Sequence, residues 1–175
     1  VRRNGLLCLL LMMFVLAAGC GGGSKADVSI FMIGSNGIPN EAGEKLQASL
    51  QSEIGESASV QVLAAPIFSM EKLIVEIAAG QNGILMIPEN HFKAMGEQGG
   101  YVPLDDVAKA EDFPEGVLEV TEDGKKQKHL YGIPMDQTKW FTELEFDGKN
   151  LFAFIPANAP DKEKAKQVMK IIAEK

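Results

Sequence analysis

Two cysteines, two histidines and a glycine-rich turn are the main candidates for chemistry in this 175-residue chain. Cys20 closes the stretch "LAAGC" and is followed at once by Gly21, Gly22 and Gly23. A thiol behind small residues and ahead of glycines suits a processing and modification site better than a disulfide across a domain. His91 stands two residues from Glu89, a spacing that cannot place both on one helical face, so no metal site is expected there. "GSNG" at 34–37 lacks the Lys-Ser/Thr of a phosphate loop and the G-x-S-x-G of a nucleophile elbow, which leaves Ser35 a plain hydroxyl. Asp105, Asp106, Glu111, Asp112 and Glu115 crowd one region without the D-x-D-x-D-G order of a calcium loop, and read as a solvated face. No set of nucleophile, base and metal can be assembled. The expectation is a protein that is not an enzyme, with no catalytic residue, metal or cofactor.

The segment that carries Cys20 is short and apolar. Arg2 and Arg3 give a basic start, and Leu6 to Ala18 is an uncharged apolar run of 13 residues. A bilayer span needs about 20 such residues. Leu16, Ala17, Ala18 and Gly19 before Cys20 resemble the lipobox of bacterial lipoproteins, with Leu16 one place earlier than the usual leucine. That resemblance implies a signal peptide over 1–19, cleavage before Cys20, and a diacylglycerol anchor with palmitate-type acylation on the Cys20 thiol. The other readings of the run are a plain core strand and a signal without lipid. Residues 20–27 then form a lipidated, glycine-rich tether, and 28–175 a single domain. The implied location is the cell membrane, lipid-anchored on the extracytoplasmic face.

The elements that must position any site follow from periodicity. Composition is globular, 46% hydrophobic and 23% charged, and the net charge of −7 argues against nucleic acid. "VSIFMI" (28–33), "VQVLA" (60–64) and "GILMIP" (83–88) are apolar runs of buried strands. Ala42, Leu46, Leu50 and Ile54 mark one helical face. Met70, Leu73, Ile74 and Ile77 mark a second, with Ser69 as N-cap and Gly80 as C-terminal cap. Asn90 can cap a short helix carrying Phe92 and Met95. "LYGIPM" (130–135) reads as a fourth strand, and 140–156 as a hairpin turning at 147–150. Pro160 and Asp161 open a last helix with Ala165, Val168, Met169 and Ile172 on one face. The expected fold is α/β, a mostly parallel open sheet with helices on both faces and a C-terminal hairpin and helix.

"AAGQNGILMIPENHFKAMGEQGGYVPLDD" followed by "LYGIPM" resembles the first lobe of extracellular solute-binding proteins, the type II periplasmic-binding-protein fold. "FIPANAPDKEKAKQVMKIIAEK" is similar to the segment where such chains return to a lobe. The usual second lobe is replaced here by some fifteen residues between Met135 and Leu151. The resemblance implies a transport-related, single-lobe module that binds a small molecule or peptide. The alternative is a protein-interaction or sensor module accessory to a membrane transporter or receptor. In open α/β sheets ligands sit beyond the carboxyl ends of the strands. That rule selects Ser35 and Asn36, Glu89 and Asn90, and Asp136, Gln137 and Trp140, the last as a stacking surface. The plainer reading makes Gly34 and Gly37 a turn, Asn90 a helix cap and Trp140 hairpin packing.

Overall fold

The computed structural model describes residues 25–122, 125–140 and 149–175. Strand β1 (Val28–Ile33) runs between β2 (Val60–Ala65) and β3 (Ile84–Pro88), parallel to both. The crossovers are helices α1 (Asn40–Ile54) and α2 (Met70–Ala79). Helix α1 buries Ala42, Leu46, Leu50 and Ile54, the expected face. Helix α2 is capped by the Ser69 hydroxyl, which accepts from the Lys72 N–H at 3.2 Å, and ends at Gly80 in left-handed geometry with φ 59°. Helix α3 (Glu89–Gly96) follows β3 directly. Helix α4 (Lys162–Ile172) is capped by Asp161 and buries Ala165, Val168, Met169 and Ile172. Each of its three larger apolar side chains contributes about 1.5–3 kcal/mol on leaving water. Ile30, Met32, Ile84 and Met86 share a core with α1 and α4 on one face of the sheet. Phe31, Ile33, Leu85 and Ile87 share the other with Leu73 of α2 and Phe92 of α3.

The sheet differs from the expected one in its far half. Strands β6 (Ile133–Pro134) and β7 (Leu151–Phe154) complete the order β2-β1-β3-β7-β6, and β7 is antiparallel to both β3 and β6. The sheet is therefore mixed: β2, β1, β3 and β6 run one way and β7 runs against them. Of the anticipated "LYGIPM" strand only Ile133–Pro134 belongs to it. Lys149–Asn150 is a turn, with Asn150 at φ 60°, and β7 pairs with β3 and β6 of the central sheet. Lys139 and Trp140 are helical, and the rest of the anticipated first arm, 141–148, lies outside the described residues, as do the signal segment and Cys20.

An unanticipated hairpin fills the acidic region instead. Strands β4 (Val117–Glu122) and β5 (Lys125–Leu130) pair antiparallel from Val117↔Leu130 to Glu122↔Lys125. Leu118 and Val120 point into the aromatic core around Phe92, while Glu119 faces solvent and pairs with Lys126 at 2.7 Å. The outer edge of the sheet is also closed. Val60 and Val62 on edge strand β2 donate their N–H groups to Gln51 (2.9 Å) and Gln47 (2.8 Å) of α1. Capped in this way, the edge offers fewer free donors to another strand.

Candidate functional site

The loops after β1, β3 and β6 emerge at one edge of the sheet, because those strands run the same way. The turn after β1 is closed by the Gly37 N–H donating to the Gly34 carbonyl at 2.8 Å. Gly37 has φ 79°, and a Cβ there would lie 2.0 Å from the Pro66 carbonyl oxygen, so the turn and the chain leaving β2 fit only around glycine. Ser35 and Asn36 stand exposed at its tip. After β3, Glu89 opens α3, donates its N–H to the Asn150 carbonyl at 2.7 Å and pairs with Lys93. Asn90 is exposed in the first turn; the cap position belongs to Pro88 and no side chain caps it, so the capping role anticipated for Asn90 is not taken. Phe68 lies parallel to the His91 ring at 5.4 Å, and Ile67 projects into solvent next to the Gly37 turn.

A cavity of about 140 Å³ at this edge is lined by Glu89, Asp136 and Gln137, together with Glu115, Pro134, Asn150 and Phe152. Three anticipated residues are thus brought together. Glu115, whose carboxylate accepts from the Gln137 amide, and Asn150 were not anticipated as members. Their only signal was position: each adjoins a strand that the sequence either hid among acidic residues or assigned to a hairpin. Ser35, Asn36 and Asn90 share the edge but do not line the cavity.

Trp140 is elsewhere. Its side chain is fully buried beside α1 and α4, its indole N–H donates to the Ile171 carbonyl at 3.1 Å, and the Lys139 ammonium sits 4.6 Å from the ring centroid. The ring is not available to stack on a ligand at the carboxyl edge. Lys139 is itself held by Glu174 and Glu53, whose carboxylates push its pKa up to about 12.

The acidic run is exposed, as expected, yet tied down across elements. Asp105 meets His129 at 2.8 Å, Asp106 meets Lys166 at 2.9 Å and Asp112 meets Lys175 at 3.3 Å. The Lys166 hydrogen bond holds the Asp106 carboxyl below its ordinary pKa. Burial pushes the Tyr101 phenol up, and its hydroxyl donates to the Phe92 carbonyl at 3.0 Å. Among the described residues no group of three or more His, Cys, Asp or Glu side chains is disposed to hold a metal ion. Nor is any described helix long and apolar enough to cross a membrane.

These features define a mixed α/β domain with a shallow polar edge. No protein-family model matches the chain and no solved structure does. A Bacillus subtilis (strain 168) protein named "Putative lipoprotein YteS" is 27% identical over 135 residues, covering 74% of this chain and 78% of that protein. The match supports a bacterial lipoprotein.

Proposed function

We propose that the chain is a bacterial lipoprotein, anchored through a diacylglycerol on Cys20 at the extracytoplasmic face of the cell membrane. On this reading it displays one solute-binding-protein-like lobe, whose carboxyl edge engages a peptide or a partner protein. The lipobox-like residues Leu16–Cys20 and the similarity to the Bacillus protein support the anchor. The lobe reading draws on helices packed on both faces, and on a strand that returns after Met135 to insert antiparallel in the sheet.

The observation that carries the choice of ligand class is the edge itself. A drug-sized ligand pocket encloses about 300–1,000 Å³. The cavity at Glu89, Asp136 and Gln137 is about 140 Å³ and has no aromatic platform from Trp140. Such an edge can meet a surface or an extended segment better than it can enclose a free solute. Weak binding of a small molecule is the second reading, favoured by the polar groups of Glu89, Asp136, Gln137 and Asn150 around that one cavity.

Two experiments test this. Metabolic labelling with an alkyne fatty acid is expected to mark the chain, and Cys20→Ser should abolish the label and release the domain from membranes; a variant that stays bound refutes the anchor. A photo-crosslinker at Asn36 is expected to capture a membrane or secreted protein that one at Glu44 on α1 does not. A thermal-shift response to a sugar or amino acid, with no crosslink from Asn36, would replace the partner by a small solute.

A further inference from the structure

Helix α2 carries more apolar surface than its seat in the core uses. Of its apolar residues only Leu73 is fully buried; Ile74 is 57% exposed and Val75 62%, and Leu63 on the neighbouring edge strand is 44% exposed. On the other flank of the same helix, Ile77 and Ala78 line an apolar groove of about 490 Å³ with Met95, Tyr101 and Pro156. Helix α2 runs opposite to the strands: Met70 lies toward their carboxyl ends with Ile67, both exposed, Ile74 and Val75 sit at mid-helix, and Ile77, Ala78 and the groove lie toward the strands' amino-terminal end.

The chain enters the domain at that same end. Asp27 is pinned there: its N–H donates to the Ser59 hydroxyl at 2.9 Å, its carboxylate accepts from the Ser59 N–H at 2.9 Å, and Lys164 pairs with it. Lys25, Ala26 and Asp27 share a pocket with Leu63 and with Glu76 of α2, so the entry point borders the apolar face. Seven residues run from Gly21, just after Cys20, to Asp27. Fully extended they reach at most about 25 Å, and as a glycine-rich coil about 15 Å. A lipid on Cys20 therefore holds this end of the domain within contact distance of the headgroups.

We infer that the exposed face of α2, centred on Ile74 and Val75 and flanked by Leu63, rests on the phospholipid surface when the chain is anchored. This rests on the proposed Cys20 anchor. The face has the makings of an interfacial helix, whose apolar side enters the headgroup–acyl boundary by about 5–10 Å. Glu71 and Glu76 outnumber Lys72 on α2, and loss of Arg2 and Arg3 with residues 1–19 makes the full-chain charge of −7 more negative still, so apolar burial carries the contact. With α2 lying along the membrane, the strands run roughly parallel to its surface and the carboxyl edge faces sideways, open to a partner in the same membrane.

The test uses the full lipidated chain reconstituted into phosphatidylcholine vesicles. With Cys20 blocked by lipid and residues 1–19 removed, Ile74→Cys supplies the single reactive thiol for an environment-sensitive fluorophore. Glu44→Cys on α1 is the control, and Val75→Cys the second reporter should the first disturb folding. The expected result is a blue shift and strong quenching by spin-labelled lipid at 74 and 75, neither occurring at 44, and no gain when anionic lipid is added. If the chain does not float with vesicles, the anchor fails and the inference falls with it. If it floats but 74 and 75 are quenched no more than 44, the inference alone is overturned. A blue shift that appears without vesicles and grows with protein concentration would assign the face to a second copy instead, which also overturns it.

Discussion

Trp140 is the sharpest place to test the packing described here, because the sequence suggests a ligand-stacking residue and the structure uses it as a wedge. Its side chain is fully buried against α1 and α4 and its N–H is spent on the Ile171 carbonyl. Trp140→Ala removes the largest fully buried side chain of the domain and is expected to cost about 3–5 kcal/mol. At about 2–4 °C per kcal/mol for a domain of this size, the melting temperature should fall by roughly 6–20 °C. Trp140→Phe separates volume from hydrogen bonding. The Ile171 carbonyl still accepts from the Glu174 N–H at 3.2 Å and is not orphaned, so losing the indole donor should cost only about 0.5–1.5 kcal/mol. Urea unfolding followed by far-ultraviolet circular dichroism is the assay, since Trp140 is the sole tryptophan and its fluorescence is lost in both variants. An alanine variant within about 1 kcal/mol of the parent would refute the buried placement.

Gly37→Ala should destabilise the domain by more than about 1 kcal/mol, because φ 79° and a contact 2.0 Å from the Pro66 carbonyl both oppose a side chain; chemical denaturation reads it. Hydrogen bonds from Lys164 and Ser59 hold the Asp27 carboxyl well below the usual carboxylate range, so its contribution is present above about pH 4 and is lost as pH falls toward the lowered value. Asp27→Asn is therefore expected to lower the urea midpoint at pH 7, and the gap to the parent should narrow in acid; a constant gap would contradict the assignment. Replacing Gln47 and Gln51 together by Ala uncovers the Val60 and Val62 N–H groups, and sedimentation velocity should then show concentration-dependent association absent from the parent.

Much of the parallel half of this fold was legible because its signals are local. The four-residue spacing Ala42–Leu46–Leu50–Ile54, the Ser69 cap with Gly80, and Asp161 ahead of Ala165–Ile172 each record one element's own requirements. The far half was not, because its pairing is non-local. "LFAF" (151–154) is apolar whether it meets a hairpin neighbour or slots between β3 and β6, and nothing within the segment says which. In β4 the alternation Leu118, Val120 against Glu119, Thr121 is present, but it is short and follows a dense acidic run whose composition is that of a solvated loop. The apolar pattern of α2 misled differently. Periodicity reports which residues are apolar, and of the expected face Met70 and Ile74 are apolar yet exposed, with only Leu73 fully buried. For the candidate site, the strand-end rule selected three residues, Glu89, Asp136 and Gln137, that line one cavity at that edge. It failed at Trp140, whose burial depends on helices that come from the two ends of the domain.

Anchor and shallow edge make physical sense together under the proposed reading. A lobe that cannot close over its ligand leaves much of the bound surface wet, and a 140 Å³ cavity contributes little affinity by itself. Confinement to a membrane changes the requirement. A partner held in the same bilayer meets the edge at an effective concentration that short tethers raise to about the millimolar range, where weak contacts suffice. The tether enters beside Ser59 at the amino end of the strands, and Ser35, Asn36 and Asp136 stand at the other end. A domain held at one end of its sheet and functional at the other gains most from a partner that also rises from the membrane. A partner with a soluble, diffusing ligand-binding role would gain nothing from the seven-residue limit on that tether.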